Sequence, residues 1–560
     1  MASWNMKMMV CAFATLLVLV CILLGVIICL AKSPNGLHPP ECPEESFTKG
    51  AVAADNEKCS EIGLKILRQG GSAVDAAIAA LLCTGIMNPH TAGIGGGSIF
   101  TIMDKSGDVK IINSREAAPF SVVRDLLKSC PKDSSKATGT KWIGVPGEIR
   151  GYEVAHKLYK KLNWSDLFKE TIKLAREGVH ISLILGSYLP QINETESLRK
   201  LYSDENGNLL KHRDVIKYEK LADTLELIAN EGPDAFYSGT IAKDLIKISV
   251  FFPGGNLEEK DFELYNATET DAWVVPVGKN YQMYIPPPPS GGSLLRLVLD
   301  FMKEYENKPA PRSVEEKTKF YGRYVEALKW ANDLRKCIRD PRFFFRKKAK
   351  EMTDINFADN PNDICAHNSS QYKFSCSYES VGTTHMSVVD QYGTFVAVTS
   401  SINAIFGSRV YSPNTGILLN NQLADFCGVV TNITPEERPP SSMAPAVLKP
   451  ISSTSKFKTL VIGASGGRMI TTGIASAVIN HLWFGKSLKE AIDAPVLFVH
   501  SNSTVKFEPG IHRGIIKELE ALGHNQMSDD FYNVVNAVEK NNGYICAVSD
   551  DRKLGKAAGY

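Results

Sequence analysis

The longest apolar run in the chain comes first. From Met8 to Ala31 no residue carries a charge, and Leu, Val, Ile, Met and Cys predominate. Such a stretch is long enough to cross a hydrocarbon core of about 30 Å as a helix. It exceeds the roughly 7 to 15 apolar residues of a cleaved signal peptide, and no small-x-small cleavage site precedes Lys32. Residues 8–31 are therefore expected to form a transmembrane signal-anchor, with residues 1–7 as a short tail. Pro34, Gly36, Pro39, Pro40 and Pro43 give residues 32–46 the composition of a stalk. The globular part is expected to begin near Phe47.

Beyond the stalk the hydrophobic period changes several times. Between Asn56 and Cys83 apolar residues recur at helical spacing, broken at Gly70-Gly71-Ser72. This predicts two packed helices, the second capped by Ser72 with Asp75 at its third position. Residues 99–103 and 109–113 read as strands, the first behind the glycine run 93–98. That run opens no helix and no Gly-Lys-Ser/Thr follows, so nucleotide binding is not expected. From about Gly147 to Thr268 the pattern is mostly helical. Pro286 to Pro289 hold the backbone extended before an apolar helical run, residues 294–302, with Ser290 or Ser293 as its cap. After Gly382, small or polar residues alternate with apolar ones, pause at Gln391-Tyr392-Gly393 and alternate again through residues 394–399, which predicts a β-hairpin. A second hairpin, 534–538 with 544–548 about Asn541-Asn542-Gly543, closes the chain.

The head of the first hairpin carries the candidate chemistry. Gly382 has no side chain to obstruct attack on its carbonyl, and Thr383 supplies a hydroxyl nucleophile whose freed α-amine is the base once the bond between them breaks. A polar, loop-like stretch from about Lys350 to Tyr378 delivers the backbone to this point and suits a chain that must be opened. Arg115, at a strand end, can grip a carboxylate through two parallel hydrogen bonds; the plainer alternative is a surface ion pair with Glu116. The strand 460–463 runs into Gly466-Gly467 ahead of a helix, where exposed amide N–H groups can hold an oxyanion. Segments bearing Asn403, Gln422, Asp425, Ser441 and Ser442 add amide, carboxylate and hydroxyl groups near strand ends.

Charge and cysteines narrow the choices. Sixty-three Lys plus Arg stand against 61 Asp plus Glu, a formal net charge of +2, which gives no support to a nucleic-acid partner. The basic run 342–350 is read as a solvated face. Three cysteines fall in the anchor and nine beyond it, none in a Cys-x-x-Cys pair, so no metal site is expected. Cys365 with Cys376 and Cys59 with Cys83 are candidate disulfides that spacing alone cannot assign. Acceptor motifs for N-glycosylation occur at Asn163, Asn193, Asn266, Asn368, Asn432 and Asn502.

The order of motifs resembles the γ-glutamyltransferase, or glutathione hydrolase, family from about residue 47 to Tyr560. The resemblance is carried by residues 71–77, 95–97, 114–116, 286–292, 382–385, 416–421, 440–443 and 463–467. Asp425-Phe426-Cys427, Arg468 and the ending Ala557-Ala558-Gly559-Tyr560 are most similar to the paralogue that also cleaves leukotriene C4. The resemblance implies an α+β fold, the four-layer αββα sandwich of N-terminal-nucleophile hydrolases. It implies self-cleavage into a large subunit (47–382) and a small catalytic subunit (383–560) that stay together as a heterodimer. It also implies a single-pass type II protein of the plasma membrane with its ectodomain outside the cell. Thr383 would attack γ-glutamyl donors (glutathione, its S-conjugates or leukotriene C4), and water or an amino acid or dipeptide acceptor would release the γ-glutamyl group, without a cofactor. By the same resemblance Ser401 assists the nucleophile and Gly466 and Gly467 form the oxyanion hole. Arg115, Ser441 and Ser442 hold the donor carboxylate, while Asn403, Gln422 and Asp425 hold its ammonium. Two departures matter. Many members carry glutamate where Gln422 stands, which removes a negative charge and predicts weaker donor binding; Ser401 stands where threonine is usual, with less restricted rotamers. The alternative function is a cell-surface glycoprotein of this fold that acts by binding.

Overall fold

The computed structural model describes residues 42, 46–123, 125–132, 136–251, 254–335, 338–343, 382–452, 458–500, 503–526, 533–541 and 543–560. These belong to one compact unit, Cys42–Tyr560. The expected anchor, most of the stalk, Cys365, Cys376, Asn368 and Asn502 lie outside the described residues. Among the described residues no helix is long and apolar enough to cross a membrane.

Fourteen strands form two seven-stranded antiparallel sheets. In chain order they are β1 (Ser46–Phe47), β2 (Ala51–Ala53), β3 (Gly97–Met103), β4 (Val109–Asn113), β5 (Thr268–Asp271), β6 (Trp273–Val277), β7 (Tyr281–Ile285), β8 (Gly382–Val389), β9 (Phe395–Asn403), β10 (Ala446–Pro450), β11 (Thr459–Ser465), β12 (Val534–Lys540), β13 (Ile545–Val548) and β14 (Ala558–Gly559). One sheet runs β14-β2-β8-β9-β3-β4-β5, the other β1-β13-β12-β11-β10-β7-β6. Strands before and after Gly382 are thus interleaved in both sheets. The C-terminal Tyr560 closes the first one, its backbone oxygen accepting from the N–H groups of Thr48, Lys49 and Gly50.

Strand alternation builds the layers. On β8, Met386 and Val388 face a helical layer, whereas His385, Ser387 and Val389 face the other sheet. The helices over the first sheet include α1 (Glu57–Arg68) and α2 (Ala73–Met87). Ser72 and Asp75 make the expected capping box, and α2 is buried nearly all round because its alanines let it lie close against the strands. The second sheet is covered by α3 (Gly292–Met302), α4 (Val314–Leu334) and α5 (Met469–Val478), packed on Met283, Ile285, Leu448, Leu460 and Ile462. Helices, sheet, sheet, helices: this is the expected four-layer sandwich. One expectation is corrected. The N-cap of α3 is Gly291: Ser290 lies one residue before it, its hydroxyl donating to the Pro286 carbonyl (2.6 Å) and accepting from the Gly292 N–H (3.4 Å), and Ser293 lies inside the helix.

Disulfides link Cys59 with Cys83, Cys42 with Cys546 and Cys130 with Cys427. The first ties α1 to α2 as the sequence suggested. The other two join residues on opposite sides of the Gly382–Thr383 bond.

Candidate active site

Thr383 sits where the pairing of β8 with β9 begins. Register slips between Gly382 and Thr383, so Gly382 lies opposite Asn403 and Thr383 opposite Ser401. Across this bulge Thr383 Oγ1 is 3.1 Å from Ser401 Oγ, which donates to the Gly382 carbonyl at 2.8 Å and accepts from the Asn403 N–H at 2.9 Å. The hydroxyl, its neighbour and the carbonyl of the preceding peptide therefore meet in one buried cluster. Asn403 holds φ at +76°, outside the ordinary range for a residue with a side chain. Any side chain at 382 would collide with the Asn403 and Ala404 carbonyls, which fixes this position as glycine.

Hydrogen bonds continue from this cluster to the other candidates. Asn403 Nδ2 donates to the Asn421 carbonyl (3.0 Å), and Asn421 Oδ1 accepts from Ala404 N–H. One residue on, Gln422 Nε2 donates to Asp425 Oδ2 (2.7 Å), leaving the buried Gln422 Oε1 without a donor. The same Asp425 oxygen receives Arg115 Nη2 at 2.5 Å. Arg115 is only 1% exposed and also donates to the carbonyls of Pro439 (2.8 Å) and Pro440 (2.8 Å). It pairs with Asp425 and not with Glu116. The loop it holds carries Ser441, whose N–H reaches the Pro289 carbonyl, and Ser442, whose hydroxyl accepts from Arg335 Nη1. Thr383, Ser401, Asn403, Gln422, Asp425, Arg115, Ser441 and Ser442 are thus brought to one end of the two sheets.

Gly466 and Gly467 close this end from the second sheet. Both have positive φ, +109° and +58°, a turn that glycine tolerates and that precedes α5. Lys553 joins the two sheets here: its ammonium donates to the Thr383 carbonyl (2.7 Å), to Ser465 Oγ (2.9 Å) and to Asp55 Oδ2 (2.7 Å). Asp55 in turn accepts from Thr384 Oγ1 and Asn536 Nδ2. Sequence reasoning missed Lys553, Asp55 and Arg335. The first two stand 498 positions apart as a buried ion pair, and a single charge beside a strand or near a terminus gives no periodic signal.

Burial sets the electrostatics. It raises the Asp425 carboxyl above its ordinary value, with Arg115 opposing. Glu116 is pushed up to about 8, chiefly by burial, and neither of its oxygens accepts a hydrogen bond. Glu148, bonded to Ser400, rises to about 7 for the same first reason. Burial lowers His385 to about 3, so its ring is neutral between Thr399 and Ser387. Among the described residues no cluster of His, Cys, Asp and Glu is arranged to hold a metal ion.

The architecture is a four-layer sandwich of helices, sheet, sheet and helices. It superposes on the cephalosporin acylase of Bacillus halodurans with a TM-score of 0.79 over 94% of this chain and 99% of that one, at 21% identity, a likeness of fold. Sequence carries the assignment further. Residues 59–560 match the Gamma-glutamyltranspeptidase family profile. The chain is 38% identical to the rat glutathione hydrolase 5 proenzyme over the whole of both chains, and 37% identical to the human one over 93% of this chain and 95% of that protein. It is also 33% identical to Scoloptoxin SSD14 of Scolopendra dehaani, over 92% of each chain. This protein belongs to the γ-glutamyltranspeptidase family.

Proposed function

We propose that the chain cuts itself between Gly382 and Thr383 and then acts as a γ-glutamyl hydrolase and transferase through an ester on Thr383. The observation that carries this reading is the contact of Thr383 Oγ1, Ser401 Oγ and the Gly382 carbonyl. In the first stage Thr383 Oγ attacks the Gly382 carbonyl carbon, which Ser401 polarises, and the acyl group moves from nitrogen to oxygen. Water then cleaves that ester, leaving a carboxylate on Gly382 and a free amine on Thr383. An α-amine has a reference pKa of about 7.7–8.0, so a usable fraction is neutral at physiological pH and takes the hydroxyl proton.

In the second stage Thr383 Oγ attacks the γ-carbonyl of the donor. The peptide amine leaves with a proton and the γ-glutamyl ester remains, to be released by water or by an acceptor amine. Gly466 and Gly467 N–H groups stabilise the oxyanion. The donor's α-carboxylate is assigned to Arg115, Ser441 and Ser442, and its ammonium to Asn403, Gln422 and Asp425, where the open Gln422 Oε1 is a ready acceptor. Glutathione, its S-conjugates and leukotriene C4 are the proposed donors. Residues 8–31 anchor the protein as type II in the plasma membrane, and the exposed Asn163, Asn193, Asn266 and Asn432, together with Asn368 and Asn502, are its proposed glycan acceptors.

Two of the disulfides add a corollary. Cys42–Cys546 and Cys130–Cys427 each bridge the proposed cut, so the mature subunits are held covalently as well as by interleaved strands.

The test is release of glutamate from glutathione and from leukotriene C4. The wild type should release it from glutathione, and Asp425→Asn should lose roughly 10- to 1,000-fold in kcat/KM by weakening the ammonium contact. A correctly cut protein that releases none is instead the binding glycoprotein of the same fold.

A further inference from the structure

The three disulfides differ in what they hold. Cys59–Cys83 is buried at both ends between α1 and α2, and Cys42–Cys546 lies at the outer edge of the second sheet, beside the pairing of β1 with β13. Cys130–Cys427 is placed beside the candidate site. Cys427 directly follows the short helical turn Gln422–Phe426, so it stands just past Asp425 in the turn that also carries Gln422.

That turn is held unequally at its two ends. Upstream, Gln422 N–H donates to Asn420 Oδ1 (2.9 Å), Asn420 Nδ2 donates to the Gly95 and Gly144 carbonyls (2.8 Å each), and Asn421 Nδ2 donates to the Ala137 carbonyl (2.9 Å). Downstream, among the described residues, the hydrogen bonds of residues 427–435 stay within the segment 424–437. The backbone returns to the body only where Glu436 and Glu437 bond to Ala118. Packing of Leu423 and Phe426 with Leu126 and Trp142 covers the turn, and the covalent tie at its downstream end is Cys427 to Cys130, on the other side of the proposed cut. Cys427 is buried, whereas Cys130, at the end of the turn Leu126–Ser129, is partly exposed. A disulfide open to solvent at one end exchanges with thiols more readily than a sealed one.

We propose that the Cys130–Cys427 disulfide is a positioning element of the donor site and a thiol-sensitive control on it. Closed, it fixes the turn that presents Gln422 and Asp425; opened, it lets that turn loosen and weakens donor binding. This rests on the γ-glutamyl reading above, in which both residues contact the donor's ammonium. The exchange takes two thiols. The first, as thiolate, attacks Cys130 Sγ, a mixed disulfide forms there, and Cys427 leaves as a thiolate that takes up a proton. The second attacks the outer sulfur of the mixed disulfide and frees the Cys130 thiol, so two small thiols are oxidised to one disulfide while the protein pair is reduced. Under the same reading the reaction supplies them, since glutathione is a thiol and removal of its γ-glutamyl group frees a thiol peptide. Donor binding then weakens as the thiol product accumulates. The loss is partial, because Arg115 keeps its bond to Asp425.

The experiment uses the full-length protein and γ-glutamyl-p-nitroanilide, a donor without a thiol, in graded dithiothreitol, which has no amine and cannot serve as acceptor. Differential alkylation with mass spectrometry follows each cysteine pair. Cys130–Cys427 should open before Cys59–Cys83, and as it opens the donor KM should rise about 3- to 30-fold with kcat changed much less. Reoxidation should restore the KM. The Cys130→Ser/Cys427→Ser variant should start with the raised KM and lose the response to thiol, whereas Cys42→Ser/Cys546→Ser should keep both the wild-type KM and the response. An unchanged KM once Cys130–Cys427 is open overturns the proposal, as does a fall in kcat alone or a KM that follows another pair. A Cys130–Cys427 pair that stays closed until Cys59–Cys83 opens overturns it too. Should the Cys130→Ser/Cys427→Ser variant not be recovered folded, the reduced and reoxidised wild type carries the test. Should the wild type turn over no donor, the γ-glutamyl reading fails separately. Hydrogen exchange across residues 422–427 then decides: faster exchange on reduction supports the positioning role, and an unchanged rate overturns it.

Discussion

The seam between the two sheets has two unlike ends, built from the same strands. At one end Val389, Phe395, Ala397, Val447, Val461, Val538 and Ile545 pack into an apolar cluster. At the other, β8, β9 and β11 bring Thr383, Ser401 and Ser465 together with the ion pair of Lys553 and Asp55. Between them lies the neutral His385, pressed so closely on Gly463 that a side chain there would overlap its ring. The apolar end stabilises the fold by removing carbon surface from water. The polar end cannot contribute in that way, since each buried donor and acceptor must be matched to offset its lost hydration. The candidate site lies where the strands stop being a good core.

Substitutions at the two ends should separate stability from chemistry. The largest loss of stability is expected for Lys553→Met, which leaves Asp55 buried without its cation at a cost on the order of 3–5 kcal/mol. It also removes a donor from the Thr383 carbonyl, so both the denaturation midpoint and the extent of chain cutting should fall. If neither moves, the polar end is not held by this ion pair. Val461→Ala, in the apolar end, should cost about 2 kcal/mol in chemical denaturation while leaving chain cutting intact. Impaired cutting in that variant would show that the two ends are not separable.

A smaller effect comes from Glu116, beneath the site. Its folded carboxyl titrates at about 8 against an ordinary 4.5, so the folded protein binds the proton more tightly than the unfolded chain does. The resulting stabilisation is fully present below pH 4.5 and is lost as pH rises through about 8. Glu116→Gln should therefore flatten the decline of thermal midpoint across that window. An identical pH slope in both proteins would contradict the assignment.

Periodicity made much of this legible. The capping box at Ser72 and Asp75, the hairpin behind Gly382 and the strand leading to Gly466 all follow from local rules that fold nearby residues in a predictable way. The candidate site was legible through the order of its motifs, since Arg115 and Asp425 give no local hint that they meet 310 residues apart. Other features had no local signature. The Cys42–Cys546 and Cys130–Cys427 pairs span 504 and 297 residues, and Arg335 bonds to a serine 107 residues away. Gly291 holds the N-cap position of α3 between the two serines, with Ser290 one residue too early and bonded to both Pro286 and Gly292, and Ser293 inside the helix.

All of the proposed chemistry depends on the bond between Gly382 and Thr383 being broken. Mass spectrometry of the purified, deglycosylated protein reads that bond itself, with N-terminal sequencing and a Thr383→Ala control. Self-cleavage predicts a new amino terminus at Thr383 in the wild type and none in the control. Before reduction the two pieces should travel as one species heavier than the precursor by a single water, and after reduction they should separate. An intact wild-type chain, or a cut elsewhere, would rule out Thr383 as the nucleophile freed by its own cleavage.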